Sequence, residues 1–332
     1  MSGKGWTAEA ISEVSRGYQG ACVITAAAEL ELFDRMGGRK FTANEASKKL
    51  GCDLRGVTVL LDVLSAMKLL MKKGEKYEVP VAVKAVLTVG GNKSLLAMMQ
   101  HQAVCLRKWS RLAEVVKTGQ RAKVAPGVLG KAAEYAAFIE AMNNVSGPLA
   151  APLVKKLGRL EFTHLLDVGG ATGTYTIAFL KKYPKARATI FDLPYVLPQA
   201  KERLKAVGMA ARVDLAGGDF YIDTLPKGAD LIWLSAIVHQ NSRAQNRELF
   251  AKCFAALESG GQLLVRDFLM EESRTEPVGG AFFAVNMLVA TPTGGTFTVS
   301  ELKEDMEAVG FTGVKIVHRE PTMHSVIAAR KK

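Results

Sequence analysis

The chain has 332 residues, 48% of them hydrophobic and 23% charged, with four cysteines and a formal net charge of +12. That length suits two domains, no apolar run reaches the roughly 18 residues of a membrane span, and Cys22, Cys52, Cys105 and Cys253 form no C-x-x-C pair, so neither a zinc site nor a disulfide framework is expected. The positive charge is dispersed through stretches such as "KKLGRL" and "ARKK", with no basic stripe interleaved with aromatics; a nucleic-acid partner is not expected, and steering of an anionic substrate is the alternative to a solvated surface.

The opening "MSGKGWTAEAISEVSRG" lacks an apolar block followed by a small-residue cleavage site, so a cytoplasmic protein without a secretory leader is expected. Residues 25–36, "TAAAELELFDRM", carry a helical apolar pattern that ends at Gly37 and Gly38. "FTANEASKKLG" sets Thr42 as an N-cap with Glu45 three residues on, a capping box. "DLRGVTVLLDVLSAMKLL" places Leu54, Val57, Leu61 and Leu64 on one helix face, and "KKGEKYEV" reads as a hairpin about Gly74. Helix, turn, helix and hairpin make a winged-helix arrangement. Its second helix points Arg55, Thr58, Asp62 and Ser65 outward, a poor set for reading base edges, so a packing or dimerising module is expected.

From about residue 160 the pattern alternates strand and helix. Strands are predicted at "THLLDVG", "ARATIFDL", "ARVDLAGGD", "ADLIWLS", "GQLLVRDFL", "GVKIVH" and "HSVIAAR", with helices such as "TIAFLKKY" and "YVLPQAKERLKAVG" between the earlier ones. The predicted fold class is α/β: a Rossmann-like, mostly parallel sheet with an antiparallel last strand, preceded by a mainly helical winged-helix region. The expected domains are 1–105 and 106–332, the latter with a helical linker at 106–160 and a sheet core at 161–332.

In such sheets ligands bind at the carboxyl ends of the strands, near the point where strand order reverses. "LLDVGGATGTY" lies after the first strand, where Gly169, Gly170 and Gly173 allow a tight turn and close approach of a ligand to the main chain. Asp192 ends the next strand, placed to accept from a ribose diol. The dinucleotide pattern G-x-G-x-x-G fails, because Ala171 and Thr174 occupy its third and sixth positions. An acid opening a D-x-G-G-x-x-G turn suits S-adenosylmethionine, which has a cationic amino-acid end and no pyrophosphate. "AGGDFY" then offers Asp219 to an exocyclic amine and Phe220 to a purine face.

With these residues in order, the chain resembles the small-molecule O-methyltransferases of the plant caffeate type and their bacterial relatives. The likeness runs through "ELFDRM", "TANEASKKLG", "LLDVLSAMKLL", "KWSRLAEVVKTGQ", "FIEAMNNVSG", "LLDVGGATG", "FDLPYV", "GGDFY", "IVHQNS" and "TVSELKEDMEAVGF". It implies a methyltransferase sheet, a helical dimerisation region, a homodimer and a small-molecule acceptor. The expected S-adenosylmethionine contacts are Ser146, Asp167, Gly169, Gly170, Asp192, Leu193, Gly218, Asp219, Phe220 and Ser235. The expected acceptor-lining residues are His101, Trp109, Phe138, Met142, Asn286 and Met287.

The family's base is a histidine after the fourth strand of the sheet, here His239, with Asp267 at the end of the next strand as the orienting acid. A neutral imidazole suits the task, because a hydroxyl acceptor must lose its proton as the methyl group arrives. His164, His318 and His324 are expected in structural or surface roles. Two departures from the family stand out. Gln240 and Asn241 replace an acid and a tryptophan, and "GGTFT" puts Thr296 or Phe297 where the family has a second acid. A sulfur or carbon acceptor, with His239 only orienting it, therefore stays open, as does a non-catalytic protein that binds S-adenosylmethionine. No carboxylate cluster suggests magnesium, and no metal is expected.

Overall fold

The computed structural model describes residues 5–91 and 93–332, apart from the side chain of Asn143. Met1 to Lys4, the start of the segment read for a leader, lie outside the described residues. The chain forms two compact units: one takes residues up to Ser110 with Lys123–Asn144, the other Arg111–Ala122 with Val145–Lys332.

In the first unit the capping box forms as expected. Thr42 Oγ1 accepts from the Glu45 N–H (3.3 Å) while the Glu45 carboxylate accepts from the Thr42 N–H (2.7 Å), starting the helix Ala43–Leu50. Asp53 caps Leu54–Ala66, which buries Val57, Leu61 and Leu64 but leaves Leu54, in its first turn, 47% exposed. β1 (Phe41–Thr42), β2 (Met71–Lys73) and β3 (Lys76–Glu78) form an antiparallel sheet in the order β1-β3-β2, and Gly74 turns β2 into β3. Three of the outward positions of the second helix, Thr58, Asp62 and Ser65, are spent locally. The Thr58 and Ser65 hydroxyls donate to carbonyls one turn back, and Asp62 accepts from Lys72 Nζ (2.6 Å) and the Tyr77 hydroxyl (2.7 Å).

One expectation fails. Residues 25–36 are not a single helix: Tyr18–Glu29 ends, Glu31 adopts a left-handed φ of 52°, and Leu32–Met36 begins anew. The break re-aims the chain so that Ala27, Leu32, Phe33 and Met36 share one core. Apolar spacing reports side-chain faces and is blind to such a backbone reversal.

In the second unit all seven predicted strands form. They are β4 (His164–Val168), β5 (Arg187–Asp192), β6 (Val213–Gly217), β7 (Ala229–Ser235), β8 (Leu257–Asp267), β11 (Thr312–His318) and β12 (Ser325–Arg330). The short β9 (Leu269–Met270) and β10 (Phe297–Thr298) pair separately with each other. The large sheet runs β11-β12-β8-β7-β4-β5-β6, parallel from β8 to β6, with β12 antiparallel to both of its neighbours. Strand order reverses at β4, between β5 and β7, which puts the crevice for a ligand at the carboxyl ends of these strands.

Both sheet faces are covered, so successive residues of one strand enter different cores. Ile232, Leu234, Leu263 and Val265 pack with the helices Arg243–Ala256 and Val299–Glu307. Leu231, Trp233 and Leu264 pack with the helix Thr174–Lys182 and with the end of the helix Lys131–Lys156. Each fully buried leucine or isoleucine contributes ~1.5–3 kcal/mol relative to exposure.

Candidate active site

After β4 the chain turns through Gly169 and Gly170 into the helix Thr174–Lys182. Gly169 has φ +69°, and a Cβ there would lie 2.7 Å from Ile237 Cδ1, so a side chain would strain the backbone and push Ile237 aside. Ala171 has a positive φ of 45°, uncommon for a residue with a Cβ. Its N–H donates to Asp192 Oδ2 (2.7 Å), and the Leu193 N–H donates to Oδ1 (2.7 Å). The half-buried acid at the end of β5 thus locks the glycine turn to the next loop. Burial raises its pKa above the ordinary aspartate value, although both backbone donors favour the ionised form. Each carboxylate oxygen keeps a lone pair for another donor, so the residues fit a ribose diol.

The Gly218 N–H donates to the Asp192 carbonyl (3.0 Å), and a Cβ there would lie 2.6 Å from the Phe191 ring. In the loop that follows β6, Asp219 Oδ1 accepts from the Tyr221 N–H (2.9 Å) and the Asp219 N–H donates to Asp223 Oδ2 (2.8 Å). Phe220 Cε1 comes within 4.0 Å of the Cβ position at Gly169, which joins the ends of β4 and β6.

Asp167 is placed differently from the other expected donor contacts. It is 2% exposed, accepts from Thr176 Oγ1 (2.6 Å), and lies behind the turn, where a Cβ on Gly170 would be 3.0 Å from its Oδ2. Burial pushes its carboxyl up from 3.8 to about 7. Ser235, half-buried at the end of β7, accepts from Arg266 Nε (2.6 Å). Ser146 is half-buried on the helix Lys131–Lys156, within the second unit.

Beyond β7, Ala236 takes a φ of 58° and leads into a single 3₁₀ turn, Val238–Gln240. His239 Nδ1 lies 2.8 Å from Asp267 Oδ2 and 3.1 Å from Oδ1, across 28 residues of sequence. The carboxylate calls for a proton on Nδ1, which leaves Nε2 as the acceptor. Asp267 is 2% exposed and also accepts from the Phe268 N–H (2.8 Å). The Phe283 ring stands edge-on to His239 at 4.9 Å and leans on Phe268 at 5.3 Å.

The histidine turn is clamped from several sides. The Gly295 N–H donates to the His239 carbonyl (2.8 Å), and Asn246 Nδ2 donates to the Val238 carbonyl (3.1 Å). Asn241, fully buried, accepts from the Tyr221 hydroxyl (2.6 Å) and donates to Asn246 Oδ1 (3.0 Å). Ser242 and Gln245 form a reciprocal capping box on the next helix. At the other departure, Thr296 is buried and its carbonyl accepts from Arg274 Nη1 (3.2 Å), while Phe297 joins the core.

Of the expected acceptor-lining residues, half-buried Asn286 and buried Met287 sit on the helix Val278–Ala290, which also carries Phe283. The others belong to the first unit. His101 and Trp109 are half-buried on Leu96–Trp109, with His101 Nε2 3.5 Å from Cys105 Sγ and the His101 ring 5.2 Å from Phe138. Phe138 and Met142 are exposed on the helix Lys131–Lys156. His164, His318 and His324 bond to Thr189, Glu320 and Arg266 respectively. Sequence reading missed Phe283, the Ala171 N–H, and the Asn241–Asn246–Tyr221 network. "FFAVNM" offered a signal for the first; the network pairs residues up to 20 positions apart and has none. Among the described residues, no three His, Cys, Asp or Glu side chains gather as metal ligands, and no helix is long and apolar enough to cross a membrane.

A doubly wound sheet with a glycine turn and a carboxylate-held histidine at its carboxyl edge places the chain in the Rossmann-like α/β class. The family model for the O-methyltransferase domain matches residues 109–312, and the chain belongs to that family of small-molecule methyltransferases. It is 29% identical to the 3-hydroxy-5-methyl-1-naphthoate 3-O-methyltransferase of Streptomyces sahachiroi, over 97% of this chain and 94% of that one. It is 30% identical to the tetracenomycin polyketide synthesis 8-O-methyl transferase TcmO of Streptomyces glaucescens, over 92% and 91%. PigF, solved with SAH, superposes with a TM-score of 0.86 at 24% identity, over 98% of this chain and 100% of that chain; the likeness is one of fold.

Proposed function

We propose that the protein transfers the methyl group of S-adenosylmethionine to a hydroxyl of a small aromatic acceptor, with His239 as general base. The observation that carries the reading is the His239–Asp267 contact, 2.8 and 3.1 Å to the two carboxylate oxygens, at the carboxyl edge of the sheet. The donor reading is supported by the fit of the Gly169 turn and Asp192 to an adenosyl ligand and by the SAH held by PigF. The hydroxyl-acceptor reading is supported by relatives named as O-methyltransferases of a naphthoate and a polyketide.

The donor supplies an electrophilic methyl group on a sulfonium. Asp192 would accept from the ribose diol, and the bare backbone at Gly169 would let the ligand approach closely. His239 Nε2 would take the proton of the acceptor hydroxyl, whose oxygen would gain the methyl group as the donor's sulfur–methyl bond breaks to leave a neutral thioether. Asp267 stabilises the imidazolium formed. Phe283 and Phe268 offer apolar faces beside His239, suited to a flat ring.

The first unit supports a homodimer. The helix Ala8–Arg16 buries none of its residues, and Trp6, Ile11, Val14 and Tyr18 are more than half exposed. The test of activity is transfer from methyl-labelled donor to a panel of hydroxylated, aminated and thiol-bearing aromatics. Label on oxygen supports the reading, and label only on nitrogen, sulfur or carbon overturns it. Light scattering should give twice the chain mass.

A further inference from the structure

Arg266 is 4% exposed, yet among the described residues no carboxylate lies within ion-pair distance of it. Its Nε donates to Ser235 Oγ (2.6 Å), its Nη1 lies 2.9 Å from His324 Nδ1, and its guanidinium carbon lies 5.0 Å from the centroid of the Tyr175 ring. These partners are a hydroxyl, a neutral imidazole and a π face. Burying a guanidinium without an anion is costly, and proteins normally supply one.

The surroundings repeat the imbalance. The Tyr175 hydroxyl and Trp233 Nε1 are buried and have no hydrogen-bond partner. The two rings touch, with centroids 5.0 Å apart. Strand alternation explains why these groups meet. Leu165, Trp233 and Leu264 all enter the core beneath the helix Thr174–Lys182, so Asp167, Ser235 and Arg266, each two positions on, face the same way. Asp267 and its histidine take the opposite face. The guanidinium and the indole N–H only donate, the Tyr175 hydroxyl can donate as well as accept, and neither the hydroxyl nor the indole N–H has a partner. The nearby acid, Asp167, is already engaged by Thr176. A buried cluster of donors, one of them cationic, at the carboxyl end of β7 and β8 asks for an anionic acceptor.

We propose that Arg266, with the Tyr175 hydroxyl, receives the α-carboxylate of the methyl donor's amino-acid end. The assignment rests on S-adenosylmethionine being the donor. It adds a charged anchor to a site otherwise built from backbone and Asp192. Arg266 Nε also orients Ser235, so one guanidinium would bind the ligand and hold its neighbour. No carboxylate on the acceptor is required.

The test compares two ligands by calorimetry: S-adenosylhomocysteine, which carries the amino-acid end, and 5′-deoxy-5′-methylthioadenosine, which lacks it. Arg266→Met should weaken the first by ~10²-fold, the loss expected for a charge-assisted pair, and leave the second within about twofold. Arg266→Lys should fall between, because it keeps the charge and loses the fork. Tyr175→Phe should weaken only the first ligand, by ~3–10-fold. Equal weakening of both ligands by Arg266→Met, or no weakening of either, overturns the assignment. Should that variant fail to fold, the intact protein still decides: decarboxylated S-adenosylhomocysteine must bind at least ~10-fold more weakly than the parent, and equal binding overturns the proposal. Intact protein that binds no adenosyl ligand would overturn the donor reading along with it, a result distinct from selective failure of the carboxylate contact.

Discussion

Between β4 and β6 the crevice is held by main-chain donors: the N–H groups of Ala171 and Leu193 grip Asp192, and that of Gly218 grips the Asp192 carbonyl. Between β7 and β8 it is held by side chains, with His239 on Asp267 and Asn241 on Tyr221 and Asn246. A backbone scaffold changes little when side chains are exchanged, which suits a donor shared across a family. A side-chain scaffold can be rebuilt residue by residue, which suits acceptors that differ from one enzyme to the next. The replacements at Gln240, Asn241 and Thr296 all fall on the second side.

Mutations of His239 and of Asp192 should separate acceptor chemistry from donor binding. The largest effect is expected at the base: His239→Ala should slow transfer to a hydroxyl acceptor by ~10²–10⁴-fold while donor affinity stays nearly constant. Single-turnover rates beside calorimetric titration would check this, and a parallel loss of donor affinity would erase the distinction between the sides. Asp192→Ala should do the reverse, weakening the donor by ~10–10²-fold with little change in rate at saturating donor. Burial raises the Asp192 pKa, so donor affinity in the intact protein should begin to fall at a higher pH than an exposed aspartate would dictate, as the carboxylate takes up its proton. Titrating donor affinity downward from pH 7 tests this, and the Ala variant should lose the dependence.

Smaller effects concern stability. Asn241→Ala removes the partner of the Tyr221 hydroxyl and of Asn246 Oδ1 and should cost about 1–3 kcal/mol in chemical denaturation. Asp167 works on the other side. In the folded protein its carboxyl keeps a proton up to about 7, whereas in the unfolded chain it loses it near 3.8. Its contribution is therefore full below pH 3.8 and is lost as pH rises toward 7. Asp167→Asn removes that loss, so the variant should melt above the intact protein at pH 8, with the gap closing toward acid. A gap that widens toward acid would contradict the buried, proton-holding state.

The order of strands and helices in the second unit, the Thr42 helix start, and the glycine turn were legible in the sequence. The strands and helix start depend on neighbours a few residues apart, through period-two burial and reciprocal caps, and Gly169 and Gly173 mark where the backbone turns through positive φ. The resemblance also marked His239 and Asp267, which follow or end predicted strands. Whether their side chains meet depended on register across β7 and β8, which places Ser235 opposite Arg266 and so brings the two strand ends level. The break at Glu31, the burial that lifts Asp167, the Asn241 network and the cluster about Arg266 left no mark in the sequence. All of them are set by what lies across the sheet or the core, where burial raises the cost of an unpaired charge or dipole, and only the folded chain decides which groups are left facing one another there.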